Sequence, residues 1–114
     1  MSELSHIIDI AKNTINVEAE SVKLLTDNIN EEFVEIVNLI HKSNERVIIT
    51  GIGKSGVIAM KIVSTMNSTG TPAVFMHAAE AIHGDLGIIQ ENDIVICISK
   101  SGNSKEIKEL VPHI

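Results

Sequence analysis

The chain has 114 residues, 44% hydrophobic and 21% charged, which is the size of one domain and too apolar for a disordered segment. Nine Lys plus Arg against fifteen Asp plus Glu give a formal charge of −6, which argues against a nucleic-acid partner but not against a small anion held by a few local donors. One cysteine, Cys97, excludes an internal disulfide and a closed structural zinc site, and Phe33 and Phe75 are too few aromatics for a base-stacking platform. No run of ~18 apolar residues marks a membrane span, and Glu3 and Asp9 do not fit a signal peptide, so a cytoplasmic protein is the expectation.

No internal repeat or low-complexity stretch is present. Residues 1–43 read as helix. Leu4, Ile7, Ile8, Ala11, Ile15, Val22 and Leu25 recur at three- and four-residue spacing, with Glu18, Glu20 and Lys23 between them. Asn28 and Asn30 break the pattern. Asn30 suits an N-cap, with Glu31 and Glu32 where the helix dipole favours acid, and Phe33, Ile36, Val37 and Ile40 form one face of a second helix. Two amphipathic helices packing on something are expected, a lead-in over 1–44 to a domain over 45–114.

Val47-Ile48-Ile49-Thr50 is a β-branched run without polar alternation, as in a strand buried on both faces of a parallel sheet. It runs into Gly51-Ile52-Gly53-Lys54-Ser55-Gly56, and a helix is expected over 55–68. The loop matches G-x-G-x-x-G, but a dinucleotide site wants an acid near the end of the second strand, where Met76 and His77 stand. A Walker A loop fails because its first glycine falls on Ile48. Two readings remain: a tight turn with Lys54 in solvent, or a glycine-lined helix start where Lys54 meets a phosphate or an oxyanion.

After Thr71-Pro72, a second strand is expected over 73–76. His77, Glu80, His83 and Asp85 then stand within nine residues, a dense set of groups able to move protons near neutral pH. The bland alternative makes the histidines surface residues and Asp85 a turn cap. His77 and His83 could also share a metal, although two ligands are weak evidence. A third strand is expected over 93–99, in which Cys97 reads as a core residue. Ser99-Lys100-Ser101-Gly102-Asn103-Ser104 precedes a last helix over 104–111. Its hydroxyls around a glycine form an anion cradle, or else Ser104 or Asn103 simply caps the helix. The order strand, helix, strand, connection, strand, helix is that of an α/β fold with its ligand loops at the strand C-termini. The third strand lies at or near a sheet edge, and its apolar Ile-Val-Ile-Cys-Ile favours self-association.

These segments together resemble the sugar isomerase (SIS) domain, and more narrowly the arabinose-5-phosphate isomerase family. The resemblance rests on Gly51 to Gly56, Ser68-Thr69-Gly70-Thr71-Pro72, Glu80-Ala81-Ile82-His83-Gly84-Asp85-Leu86-Gly87 and Ser99 to Ser104. It implies an incomplete SIS-type parallel sheet flanked by helices, a three-layer flavodoxin-like or Rossmann-like arrangement with a helical lead-in. It further implies interconversion of D-arabinose 5-phosphate and D-ribulose 5-phosphate through an enediol, feeding synthesis of an eight-carbon acidic sugar of bacterial outer envelopes. On the same basis Lys54 and Glu106 are catalytic. Gly70, Thr71, His77, His83, Ser99, Ser101 and Ser104 bind the phosphorylated pentose. No cofactor is required, with His77 a position for a divalent metal such as zinc. Neither nucleic acid nor membrane is a partner, and a homodimer or homotetramer is expected. The chain departs from the family at Ala78 and Ala79, where Pro and Gly are usual, and at Lys100 and Asn103. The resemblance makes it the front part of a longer protein whose further catalytic Glu and His and paired CBS modules lie beyond residue 114. A non-catalytic phosphosugar-sensing module, or a fragment serving only assembly, is the alternative; the 80–87 segment favours the isomerase.

Overall fold

The computed structural model describes residues 2–114, the side chain of Asp85 excepted. It divides into two units, Met1–Leu39 and Ile40–Ile114.

In the first unit, helix α1 spans Glu3–Leu24 and opens on Ser2, whose hydroxyl accepts from the Ser5 N–H at 3.2 Å. A 3-10 turn over Leu25–Asn28 follows, then α2 over Glu31–Lys42, whose last residues belong to the second unit. The expected cap is present: Asn30 Oδ1 accepts from the Phe33 N–H at 3.2 Å. Glu31 and Glu32 start α2 and His41 and Lys42 end it, complementing its dipole. Neither helix buries a residue. The apolar stripe expected to pack is open, with Leu4, Ile15 and Val22 all more than 60% exposed.

The second unit is built on β1 (Val47–Gly51), β2 (Ala73–His77) and β3 (Ile94–Ile98), all parallel in the order β2-β1-β3. Only β1 has neighbours on both sides, and all five of its residues are buried; β3, on an edge, is half-buried throughout. Alternation along β1 sends Val47 and Ile49 to one face and Ile48 and Thr50 to the other. Helix α3 (Lys54–Ser68) covers the first face, where Ala59, Ile62, Val63 and Met66 pack with Val47, Ile49, Phe75 and Ile96. The short helices α4 (Ala78–Ala81) and α5 (Lys105–Leu110) cover the second, where Ala78, Ala81, Ile107 and Leu110 meet Ile48, Met76 and Cys97. Helices on both faces of a parallel sheet give the expected three layers. The sequence pattern did not indicate α4: four residues hold no helical period.

The N-terminal edge is tied by one polar knot. Arg46 Nη2 donates to the Ile88 carbonyl at 2.6 Å and to Asp93 Oδ2 at 3.1 Å, and the same oxygen accepts from the Gln90 N–H at 2.7 Å. The Gln90 N–H and the Arg46 guanidinium hold the Asp93 carboxyl below its ordinary value, against the opposing effect of burial. A carboxyl depressed in the folded state stabilises the fold fully above its unfolded value, near 3.8, and loses that contribution as pH falls through the folded value. At pH 7, Asp93→Asn should therefore melt several degrees below the parent chain. The gap should close as both are titrated below pH 4, and a gap that stays constant down to pH 2 contradicts it.

Candidate functional site

The three loops singled out in the sequence leave the sheet at one level, because Gly51 is in register with His77 on one side and Ile98 on the other. The turn from β1 into α3 is tight. A Cβ on Gly51 would lie 2.9 Å from the carbonyl carbon and oxygen of Ser55 and 3.0 Å from the Gly56 nitrogen; one on Gly56 would lie 3.1 Å from the Gly51 oxygen. Gly53 sits at the N-cap with φ of 57°, and no side chain caps α3. Its first N–H groups are thus left to a ligand or solvent, at the end of the helix where the dipole favours an anion.

The loop after β3 is templated from within. Ser99 Oγ accepts from the Gly102 N–H at 2.9 Å and Ser101 Oγ from the Asn103 N–H at 3.0 Å, while Gly102 takes a φ of 71°. Each hydroxyl is engaged as an acceptor and keeps its own proton to donate. Ser104 stands at the N-cap of α5, yet its hydroxyl caps nothing: Oγ is buried and without a partner. The plain capping reading of Ser104 is therefore corrected. A pocket of about 280 Å³ joins this loop to the β1–α3 turn, lined by Ile52, Ser55, Ile98, Ser99, Lys100, Ser101 and Ser104. Ser55 and Lys100 are lining residues that the sequence reading did not select. The G-K-S succession was the available signal for Ser55.

Lys54 begins α3 beside Ser55, is exposed, and does not line the pocket. Glu106 is half-buried in the first turn of α5, two residues beyond Ser104. His77 ends β2, on the far side of β1 from the serine loop. Its Nδ1 accepts from the Ala79 N–H at 3.2 Å, capping α4, and its ring meets that of Phe75 edge-on at 6.2 Å. A neutral histidine accepting at Nδ1 carries its proton on Nε2, which leaves no lone pair for a metal. No group of three metal-ligating side chains occurs among the described residues. This arrangement does not fit a divalent metal at His77. His83 and Glu80 are exposed, with the His83 N–H on the Glu80 carbonyl at 3.0 Å. The side chain of Asp85 lies outside the described residues.

Gly70 and Thr71 lie apart from all of these. They precede β2, so they sit at the N-terminal edge of the sheet, about 13 Å of strand away from the loops at its other edge. Gly70 takes a φ of 95°, and the Thr71 N–H returns to the Met66 carbonyl at 2.9 Å. Burial pushes the Cys97 thiol up, so it stays protonated in the core. No helix among the described residues is long and apolar enough to cross a membrane.

The family model of the SIS domain matches residues 39–114. The chain belongs to the SIS domain family. Over 108 residues it is 41% identical to the arabinose 5-phosphate isomerase GutQ of Salmonella typhi, covering 95% of this chain and 34% of the relative. It is 47% identical to the arabinose 5-phosphate isomerase KdsD of Francisella tularensis, covering 100% of this chain and 36% of that one. Among solved structures it is similar to c3406 of E. coli CFT073 in complex with arabinose 5-phosphate, with a TM-score of 0.90 and 37% identity over 99% of this chain and 60% of the other. The SIS chain thus spans about a third of the length of the curated relatives it matches.

Proposed function

We propose that this SIS chain forms the phosphate-holding part of an aldose–ketose isomerase that interconverts D-arabinose 5-phosphate and D-ribulose 5-phosphate. The observation that carries the reading is the pocket between the α3 start and the serine loop, with the buried, unpartnered Ser104 hydroxyl in its wall. Relatives named for this reaction, at 41% and 47% identity, support the substrate. The phosphate lies in the pocket, taking protons in hydrogen bonds from Ser99, Ser101 and Ser104 and facing the start of α3. The reaction moves one proton between adjacent carbons through an enediol, which needs a base and a positive group near the developing oxyanion. Glu106 serves as the base and Lys54 as the oxyanion partner; His77, donating from Nε2, and His83 hold sugar oxygens. Gly70 and Thr71, at the other edge, reach a substrate only from a second copy, which accords with a homodimer or homotetramer and with the open β3 edge.

Titration of the chain with D-ribulose 5-phosphate tests the pocket, and an isomerisation assay on the full-length protein tests the chemistry. Ser104→Ala and Ser101→Ala should each weaken binding by about 0.5–3 kcal/mol, the upper end applying where the partner is the charged phosphate. Wild-type binding that neither substitution weakens would place the phosphate elsewhere.

A further inference from the structure

Residues 78–93 carry the chain from the C-terminal edge of β2 back to the N-terminal edge of β3, with Glu80 and His83 near the start of the passage. Its helical pieces, α4 and a 3-10 turn over Asp85–Ile88, have four residues each, too few to hold by their own hydrogen bonds. Ala78 and Ala81 are buried and Leu86, Ile88 and Ile89 partly so, which anchors the passage without fixing its register. Among the described residues, Arg46 is the one side chain from a sequence-distant element that hydrogen-bonds its backbone, at the Ile88 carbonyl. The same guanidinium nitrogen meets Asp93, whose side chain is 0% exposed and which also holds the Gln90 N–H. Arg46 Nε and Asp93 Oδ1 are both buried without a partner. A two-pronged Arg–carboxylate pairing would satisfy them both. The structure forgoes that pairing, and the nitrogen shared with Asp93 reaches Ile88 instead.

We propose that Arg46 is a positioning residue for His83, holding the far end of the 78–88 passage from the opposite edge of the sheet. The inference rests on the phosphosugar reading only in counting His83 among the site residues; Arg46 itself touches no substrate.

Hydrogen exchange and the NMR signals of the His83 ring, both recorded on the 114-residue chain, test it. In Arg46→Met, amides of 79–90 should exchange about tenfold faster while those of β1 keep their protection, and the His83 ring signals should shift or broaden. Arg46→Lys, still able to donate to one carbonyl beside Asp93, should restore most of the protection and the His83 signals. Should Arg46→Met not fold, Asp93→Asn decides by the same local pattern. Unchanged exchange over 79–90, a rise spread equally over β1, or a Lys variant no better than the Met variant overturns the proposal. No ligand takes part, so a chain that binds no sugar phosphate overturns the proposed function alone.

Discussion

Gly51→Ala should cost about 3 kcal/mol and abolish phosphosugar binding, through a single added methyl group. That methyl would meet the backbone of Ser55 at 2.9 Å, and a helix backbone cannot swing aside as a flexible side chain can. Relief requires α3 to move off β1, which opens the contact between Gly51 and Gly56 and displaces Ser55 from the pocket wall. Gly53→Ala is the control. Nothing lies within 4 Å of its added Cβ, so only the cost of φ at 57° remains, about 1–2 kcal/mol. Denaturant midpoints of the two variants measure the difference directly. A Gly51→Ala protein as stable as the parent would mean that the turn is looser than its geometry states.

The second large effect belongs to Lys54 and is kinetic. In the full-length protein, Lys54→Met should lower kcat about 10²- to 10³-fold while KM stays within about threefold. The separation has a structural basis: the pocket is walled by Ser55 and Lys100 but not by Lys54, so the phosphate keeps its donors when the lysine is lost. A group that meets negative charge only as it develops on the sugar oxygen stabilises the transition state and not the bound substrate. Should KM rise severalfold with kcat unchanged, Lys54 is a phosphate ligand and the oxyanion role falls.

The elements that carry strong local patterns were legible in the sequence. β1 and β3 are runs of β-branched residues, Asn30 announces its helix, and the glycine and serine loops announce turns between strand and helix. Strand order was not, because Val47 to Thr50 reads the same in a central strand as in an edge strand. The four residues of α4 fall below one period, and their cap is His77, outside the usual set of Ser, Thr, Asp and Asn. Within the site, the sequence selected Ser99, Ser101 and Ser104, which line one pocket, but could not show that the Ser104 hydroxyl is buried and unused. Gly70 and Thr71 were grouped with these by motif; their place before a strand, and so at the other edge, follows only once the strands are known to be parallel. The pairing of Arg46 with Asp93 spans 47 residues and leaves no local trace at all.

The central place of β1 bears on the order in which this unit assembles. β1, α3 and β2 are consecutive in the chain, so their pairing closes a short loop around a helix that packs on both strands. β3 has no neighbour but β1 and must wait for an excursion about twice as long to close. Doubling a loop adds only about 0.6 kcal/mol of closure entropy, but that cost falls before β3 has gained any contact to offset it. The β1–α3–β2 hairpin of elements is therefore the natural nucleus, and the serine loop, carried on β3, is the last part of the pocket to arrive.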